Sequence, residues 1–188
     1  MKKIIVALAV FIAGFSAEAQ LKTPQSSPKT TIVQSVGLTD VEINYSRPSA
    51  RGRVVFGNLI PFGKVWRTGA NENTTVSFSD DVVIDGKTLK KGKYSLYTIP
   101  KIESWEIIFY KTTDNWGNPA EWKEENVALR TTVKPETLNK KVETFTIGVS
   151  GLDNNFAILE IYWENSYAAL KFEVPTQQKA IANIDKVL

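Results

Sequence analysis

The sequence contains no cysteine and no histidine. Without thiol groups the chain forms no disulfide and offers no cysteine nucleophile. Without imidazole it lacks the general base of a Ser-His-Asp triad and the commonest protein ligand of zinc and copper. We therefore expect no metal site and no cofactor, and the remaining residue types favour a protein that is not an enzyme.

The composition is that of a soluble globular protein. Of 188 residues, 43% are hydrophobic and 23% are charged, which excludes a disordered chain and a membrane protein with many spans. The formal net charge of +3 gives no broad basic surface for a phosphate backbone. We expect a single folded domain that does not bind nucleic acid.

The amino terminus has the pattern of a secretory signal peptide. Lys2 and Lys3 precede an apolar run at 4–15, and a small-x-small pattern ends at Ala19. The run is shorter than the roughly 20 apolar residues that span a bilayer. We predict a signal peptide over 1–19, removed near Ala19. The mature chain would have no membrane span and would be periplasmic or extracellular.

The mature chain is expected to begin with a short lead and to form one domain. Pro24 and Pro28 punctuate the polar segment 20–29, which predicts a flexible lead into the first strand. No linker or internal repeat interrupts the remainder. We therefore assign 30–188 to a single β-rich domain.

Alternation of apolar and polar residues recurs along this domain. The segments 41–46, 144–149 and 167–174 separate the two classes by parity, which is typical of strands with one solvated face. Turn residues fall between them at hairpin spacing, including 164–166. The alternation and the turns together predict about eight or nine strands. The sequence thus predicts an all-β fold, an antiparallel β-sandwich or jelly-roll-like barrel.

A short C-terminal α-helix is predicted after the last strand. Ile181, Ile184 and Leu188 lie three and four residues apart, after a candidate cap at Thr176. We expect the helix to cover an edge or a face of a sheet.

One long irregular loop interrupts the strand pattern between Arg47 and Asn73. It contains six large apolar residues, too many for a disordered segment: Phe56, Leu59, Ile60, Phe62, Val65 and Trp66. Long loops in compact domains are usually functional or disordered. We therefore expect this loop to fold back onto the domain.

Arginine is concentrated in the same loop. Four of the five arginines of the chain lie there, and the guanidinium fork fits carboxylate, sulfate and phosphate groups. The candidate ligand-binding residues are Arg47, Arg51, Arg53, Trp66, Arg67, Asn71 and Glu72. The alternative is structural: the arginines would brace the loop through nearby carboxylates, and Trp66 would belong to the core.

These motifs resemble a known family. Ser46-Arg47-Pro48, Leu59-Ile60-Pro61-Phe62-Gly63 and the run from Val65 to Glu72 are similar to the signature of domain of unknown function 2911. The resemblance extends from about Pro28 into the last strand. It implies a single β-rich domain of an exported bacterial protein, and it implies no activity.

Three functional hypotheses follow. The leading one is an exported, non-catalytic domain whose loop binds a polar or anionic partner, such as a glycan, an anionic small molecule or another envelope component. The second is a metal-independent carbohydrate hydrolase with two carboxylates drawn from Glu72, Glu106, Glu160 and Glu164. The third is a structural domain that contacts an envelope protein through a sheet edge or the C-terminal helix.

Two tryptophans lie in a polar segment outside the predicted strands. Trp116 and Trp122 lie in the polar segment 114–126, where an exposed pair would require an explanation. Sugar-binding sandwiches present such rings to their ligands, although aromatic residues are also common in strands and cores.

Overall fold

The computed structural model of the protein describes residues 23–188, so the predicted signal peptide at 1–19 lies outside the described residues. The described chain forms ten strands, a 3₁₀ turn at Glu124–Asn126 and one α-helix. The strands are β1 (Lys29–Val36), β2 (Thr39–Ser46), β3 (Thr75–Phe78), β4 (Val82–Ile84), β5 (Lys87–Leu89), β6 (Gly92–Pro100), β7 (Trp105–Tyr110), β8 (Val127–Val133), β9 (Glu136–Ser150) and β10 (Phe156–Glu173), and the helix is α1 (Thr176–Ile184).

The strands form two antiparallel sheets. The six-stranded sheet has the order β1-β2-β3-β6-β7-β8, and the four-stranded sheet has the order β5-β4-β10-β9. Hairpin connections of two to five residues join four of the eight neighbouring pairs: β1–β2, β4–β5, β6–β7 and β9–β10. The predicted all-β, antiparallel, sandwich-like fold with one short C-terminal helix is confirmed.

Alternating side chains fill the core between the sheets. In β2, Val41, Ile43 and Tyr45 are buried, whereas Glu42 between them is exposed. The Tyr45 hydroxyl reaches across the core and hydrogen-bonds both the amide and the carbonyl oxygen of Ile147 in the other sheet, at 3.1 Å each. Apolar burial and this polar contact together fix how the sheets pack.

The outer face of the six-stranded sheet is also covered in part. Tyr97, Ile108 and Tyr110 point away from the main core and are nonetheless buried. Trp122, from the segment between β7 and β8, packs on Tyr110 with ring centroids 4.6 Å apart. This cover explains why β6 and β7 are apolar at both parities.

The prediction of a turn at 164–166 is wrong, because β10 continues without a break through these residues. The buried positions have odd numbers up to Trp163 and even numbers from Ala168 onward. Glu164 has a positive φ of 54°, and the pairing with β9 shifts register on both sides of it. Residues 164–166 form a β-bulge. The bulge moves the buried side chains from odd-numbered to even-numbered positions without reversing the direction of the chain.

The C-terminal helix forms where predicted but does not bury its apolar positions. Ile181 and Ile184 are 52% and 58% exposed. The helix is attached instead by polar groups: the Lys179 ammonium donates to the Leu38 carbonyl oxygen and to Asp80 at 2.6 Å each, and the Thr176 hydroxyl donates to the Asn154 carbonyl oxygen. Ile181 and Ile184 thus cover no sheet, and the predicted cap at Thr176 is wrong, because the helix begins after Pro175 without a side-chain cap. No helix among residues 23–188 is long and apolar enough to cross a membrane.

Candidate functional site

The irregular loop is attached to both sheets through its backbone. Trp66 exchanges two backbone hydrogen bonds with Thr98 of β6, at 2.8 and 2.9 Å. On the other side, the Phe145 amide of β9 donates to the Pro48 carbonyl oxygen at 2.8 Å. The loop therefore closes one end of the sandwich.

Trp66 lies in the core at this closed end. It is 6% exposed, stacks on Trp163 and meets Phe145 edge to face with centroids 5.1 Å apart. Its indole N–H donates to the Gly69 carbonyl oxygen at 3.1 Å. Its place agrees with the structural alternative, although the residue also borders a cavity.

That cavity has a volume of about 430 Å³ and lies between the loop and residues 26 and 27. It brings together three of the four loop arginines, and we call it the arginine cavity. Its lining side chains are those of Ser26, Ser27, Pro48, Ser49, Arg51, Arg53, Leu59, Ile60, Trp66, Arg67, Ala70 and Trp163, with Gly69. None of these residues is acidic.

Arg51 and Arg53 are held by backbone oxygens. The Arg53 guanidinium donates to the carbonyl oxygens of Ala50 and Ser49 at 2.8 Å each. Arg51 donates through Nη2 to the Ser26 carbonyl oxygen at 3.2 Å. A guanidinium has five N–H donors, so both arginines keep free donors after these contacts.

Arg67 is half-buried, and its Nε is a buried donor without a hydrogen-bond partner among the described residues. Its Nη1 lies close to Gly117, where an added Cβ would come within 3.1 Å. Gly117 has a φ of 90°, so its glycine both permits the turn and leaves room for Arg67.

Arg47 has a different role from the other three. Its Nε donates to the Phe145 carbonyl oxygen at 3.1 Å and its Nη2 to the Thr146 hydroxyl at 2.7 Å. These contacts tie the loop to β9. Within residues 23–188, Arg47, Arg51, Arg53 and Arg67 have no carboxylate within ion-pair distance, so the carboxylate bracing considered from the sequence is not what holds them.

Asn71 and Glu72 do not line the arginine cavity. The Asn71 amide donates to the Ser27 carbonyl oxygen at 3.2 Å and so holds the segment before β1. Glu72 forms an exposed ion pair with Lys29 at 2.9 Å.

Glu72 borders a second cavity, of about 450 Å³, on the outer face of the six-stranded sheet. We call it the Trp116 groove, because Trp116 forms part of its wall and is 73% exposed. Its other lining residues are Lys29, Glu42, Asn44, Tyr45, Ser46, Glu72, Asn73, Thr75, Lys93, Thr113, Asp114 and Asn115. The sequence did not predict this groove. The alternation in β2 does place Glu42 and Asn44 on the face opposite the core, where the groove lies.

The carboxylates considered for hydrolysis have separate surroundings. Glu106 pairs with Lys101 at 3.0 Å. Glu164 accepts from the Val55 amide at 2.9 Å. Glu72 and Glu160 lie on opposite outer faces of the sandwich, so those two cannot act on one bond. Within the described chain, no group of three or more acidic side chains could hold a metal ion.

Glu160 contacts tyrosines on the outer face of the four-stranded sheet. It accepts a hydrogen bond from the Tyr167 hydroxyl at 2.7 Å. Burial, together with the neighbouring Glu160 carboxylate, raises the pKa of Tyr167 to about 12. The pKa of Tyr162 is raised for the same reasons. Both tyrosines are thus protonated at neutral pH and serve as hydrogen-bonding groups.

Comparison with known proteins gives one family. The model of the family described as "Protein of unknown function (DUF2911)" matches residues 27–172, which include the loop and nearly all of both sheets. No curated protein and no solved structure matches the chain.

Proposed function

Since this chain belongs to the DUF2911 family, whose description assigns no activity, we propose from the arrangement of its side chains that it is an exported, non-catalytic protein that binds an organic anion in the arginine cavity. The ligand class is a small molecule or a glycan residue with a carboxylate, sulfate or phosphate group. The proposed export is supported by the basic start, the apolar run and the small-x-small pattern within residues 1–19.

The observation that carries the proposal is the charge of the cavity. Arg51, Arg53 and Arg67 line one space that contains no acidic side chain. Three like charges at one site repel each other, and an anion that contacts them would relieve this repulsion. Arginine also offers paired donors that match the two oxygens of a carboxylate or phosphate.

The fixed positions of two arginines add a second argument. Because backbone oxygens already hold Arg51 and Arg53, little side-chain entropy remains to be lost on binding.

The size and the remaining walls restrict the ligand further. A volume of about 430 Å³ lies within the range of small-molecule sites. Leu59, Ile60 and Trp66 supply apolar contacts beside the arginines. We therefore expect an anionic group joined to a compact body, such as a sugar ring, rather than a bare inorganic ion.

Titration calorimetry with matched ligands tests the proposal. Glucuronate, glucose 6-phosphate and glucose differ mainly in the anionic group, and we expect the first two to bind more tightly than glucose. Arg67→Gln and Arg53→Gln are each expected to weaken anion binding by about 10- to 100-fold, because each loses a charge-assisted hydrogen bond of about 1.5–3 kcal/mol.

Arg130→Gln is the matched control, because Arg130 pairs with Glu124 at 2.9 Å away from the cavity. It removes the same charge and is expected to leave anion affinity unchanged. If no anion binds better than glucose, or if all three variants weaken binding equally, the cavity is not an anion site. Loss of thermal stability in Arg53→Gln and Arg67→Gln, without any anion binding by the unsubstituted protein, would support structural bracing instead.

A further inference from the structure

Trp116 is exposed although the backbone around it is held in place. The side-chain amide nitrogen of Asn73 faces the segment that carries Trp116 and donates to the carbonyl oxygens of Asn115 and Gly117 at 2.8 and 2.6 Å. The Tyr97 hydroxyl also donates to the Gly117 carbonyl oxygen, 3.3 Å away. Asn73 and Tyr97 are themselves buried. The two neighbours of Trp116 are thus fixed to the six-stranded sheet, while its indole faces solvent.

An indole in this position is suited to contact a ligand. Tryptophan has a large apolar surface, and covering it is favourable. Because the neighbouring backbone is already ordered, covering the ring costs less conformational entropy than ordering a loose loop would. Trp122, from the same segment, is packed on Tyr110, so the two tryptophans differ in role.

The groove beside Trp116 has mixed polar groups. Its hydrogen-bonding side chains include Lys29, Glu42, Asn44, Glu72, Lys93 and Asp114. Lys29 and Glu72 neutralise each other at 2.9 Å, and the Asn44 amide donates to Glu42 at 2.6 Å. The groove therefore offers both donors and acceptors without the excess of positive charge that marks the arginine cavity.

We propose that the Trp116 groove binds a neutral sugar ring of an oligosaccharide, with the ring stacked on Trp116. A pyranose has an apolar C–H face and hydroxyl groups that both donate and accept hydrogen bonds. The indole matches the face, and the carboxylate, amide and ammonium groups match the hydroxyls. This site is separate from the arginine cavity and does not depend on what that cavity binds.

A cationic ligand is the alternative occupant, because three carboxylates and two ammonium groups line the groove. A cation on the indole face would be attracted by the ring and by Glu42, Glu72 and Asp114. It would also meet the ammonium groups of Lys29 and Lys93, which border the same groove. A hydroxyl-rich neutral ligand avoids this repulsion and can use both kinds of group.

Binding of neutral oligosaccharides tests the proposal. The probes are maltotetraose, cellotetraose and chitotetraose, each titrated into the mature chain while tryptophan fluorescence and indole N–H resonances are recorded. We expect at least one probe to shift the Trp116 resonance. Trp116→Ala is expected to weaken its binding by at least about tenfold, and Trp116→Phe by less. Thermal stability should remain unchanged in both variants, because the ring is exposed.

Two controls separate this site from other effects. Leu152→Ala removes another exposed apolar side chain, 55% exposed, and should leave sugar binding intact. Arg53→Gln, which lies in the arginine cavity and outside the groove lining, should also leave it intact, so that failure of the arginine cavity and failure of the groove are distinguished. The proposal is overturned if none of the probes shifts the Trp116 resonance, if binding survives Trp116→Ala, or if a lysine-rich peptide binds the groove and the sugars do not.

Discussion

The Trp66 indole stacks on the Trp163 indole, with ring centroids 5.7 Å apart and ring planes inclined by 23°. Trp66 belongs to the irregular loop and Trp163 to β10, so the pair fixes the loop to the four-stranded sheet. Both residues also border the arginine cavity. The cavity wall is therefore part of the hydrophobic core, which holds the nearby arginines on a rigid support.

Trp66→Ala is expected to lower the free energy of unfolding by about 3–5 kcal/mol, because it removes a buried indole and leaves a cavity among Trp163, Phe145 and Phe56. Urea denaturation followed by circular dichroism measures the change. Trp116→Ala is the control and should change stability by less than about 0.5 kcal/mol. Equal losses in the two variants would contradict the placement of Trp66 in the core.

Arg47→Ala is expected to destabilise the protein by about 1–3 kcal/mol, because the Phe145 carbonyl and the Thr146 hydroxyl lose their partly buried donor. Anion affinity at the arginine cavity should remain close to that of the unsubstituted protein. Denaturation and calorimetry on the same sample check both expectations. An affinity loss as large as that of Arg67→Gln would show that Arg47 belongs to the ligand site.

Lys179→Met is expected to loosen α1, because Lys179 supplies two of the hydrogen bonds that attach the helix and the apolar helix residues are exposed. Hydrogen exchange of the amides at 176–184 should accelerate by about tenfold or more, whereas the core strands keep their protection. Lys186→Met, near the chain end, is the control. Unchanged exchange in Lys179→Met would mean that other contacts hold the helix.

The same attachment should depend on pH. Burial opposes the charged form of Asp80, but hydrogen bonds from Lys179, Ser79 and Thr39 lower its pKa below the ordinary value. A lowered pKa in the folded state means that the contact stabilises above the unfolded-state pKa of about 4 and is lost as the pH falls through the lower value. Protection of the amides at 176–184, measured against their intrinsic exchange rate, should therefore fall below about pH 4, and Asp80→Asn should abolish this dependence.

Tyr167 should ionise later than an ordinary tyrosine, with a pKa of about 12. Burial raises the pKa first, and Glu160 adds to it through the 2.7 Å hydrogen bond and its charge. Because the folded-state pKa is raised, this contact contributes stability below about pH 10 that is lost as the pH rises toward the higher value. Ultraviolet titration measures the pKa, and Glu160→Gln should lower it toward the ordinary value. An unchanged titration in that variant would contradict the contact.

Much of the fold was predictable from local patterns. Parity in β2 identified Val41, Ile43 and Tyr45 as the buried face, since a strand alternates its side chains wherever it lies. The bulge at Glu164 was not predictable, because polar residues of this kind also form turns. The attachment of α1 was not predictable either, because Lys179 contacts Asp80, which is 99 residues away in the sequence.

The candidate site was predictable only in part. Clustering of arginine located the loop, and Arg51, Arg53 and Arg67 do line one cavity. The different position of Arg47 depends on β9, about a hundred residues later, and the position of Glu72 depends on its pairing with Lys29. Trp116 and Trp122 have the same kind of neighbours in sequence, yet only Trp122 meets Tyr110.

The sequence by itself determined the all-β class, the family and the loop that carries the arginines, because alternation, composition and motif are local properties of the chain. Tertiary structure alone decided which of these side chains share a space. Whether an arginine lines a cavity or braces a strand, and whether a tryptophan is packed or exposed, depends on which distant backbone lies beside it. Neither outcome is encoded in neighbouring residues.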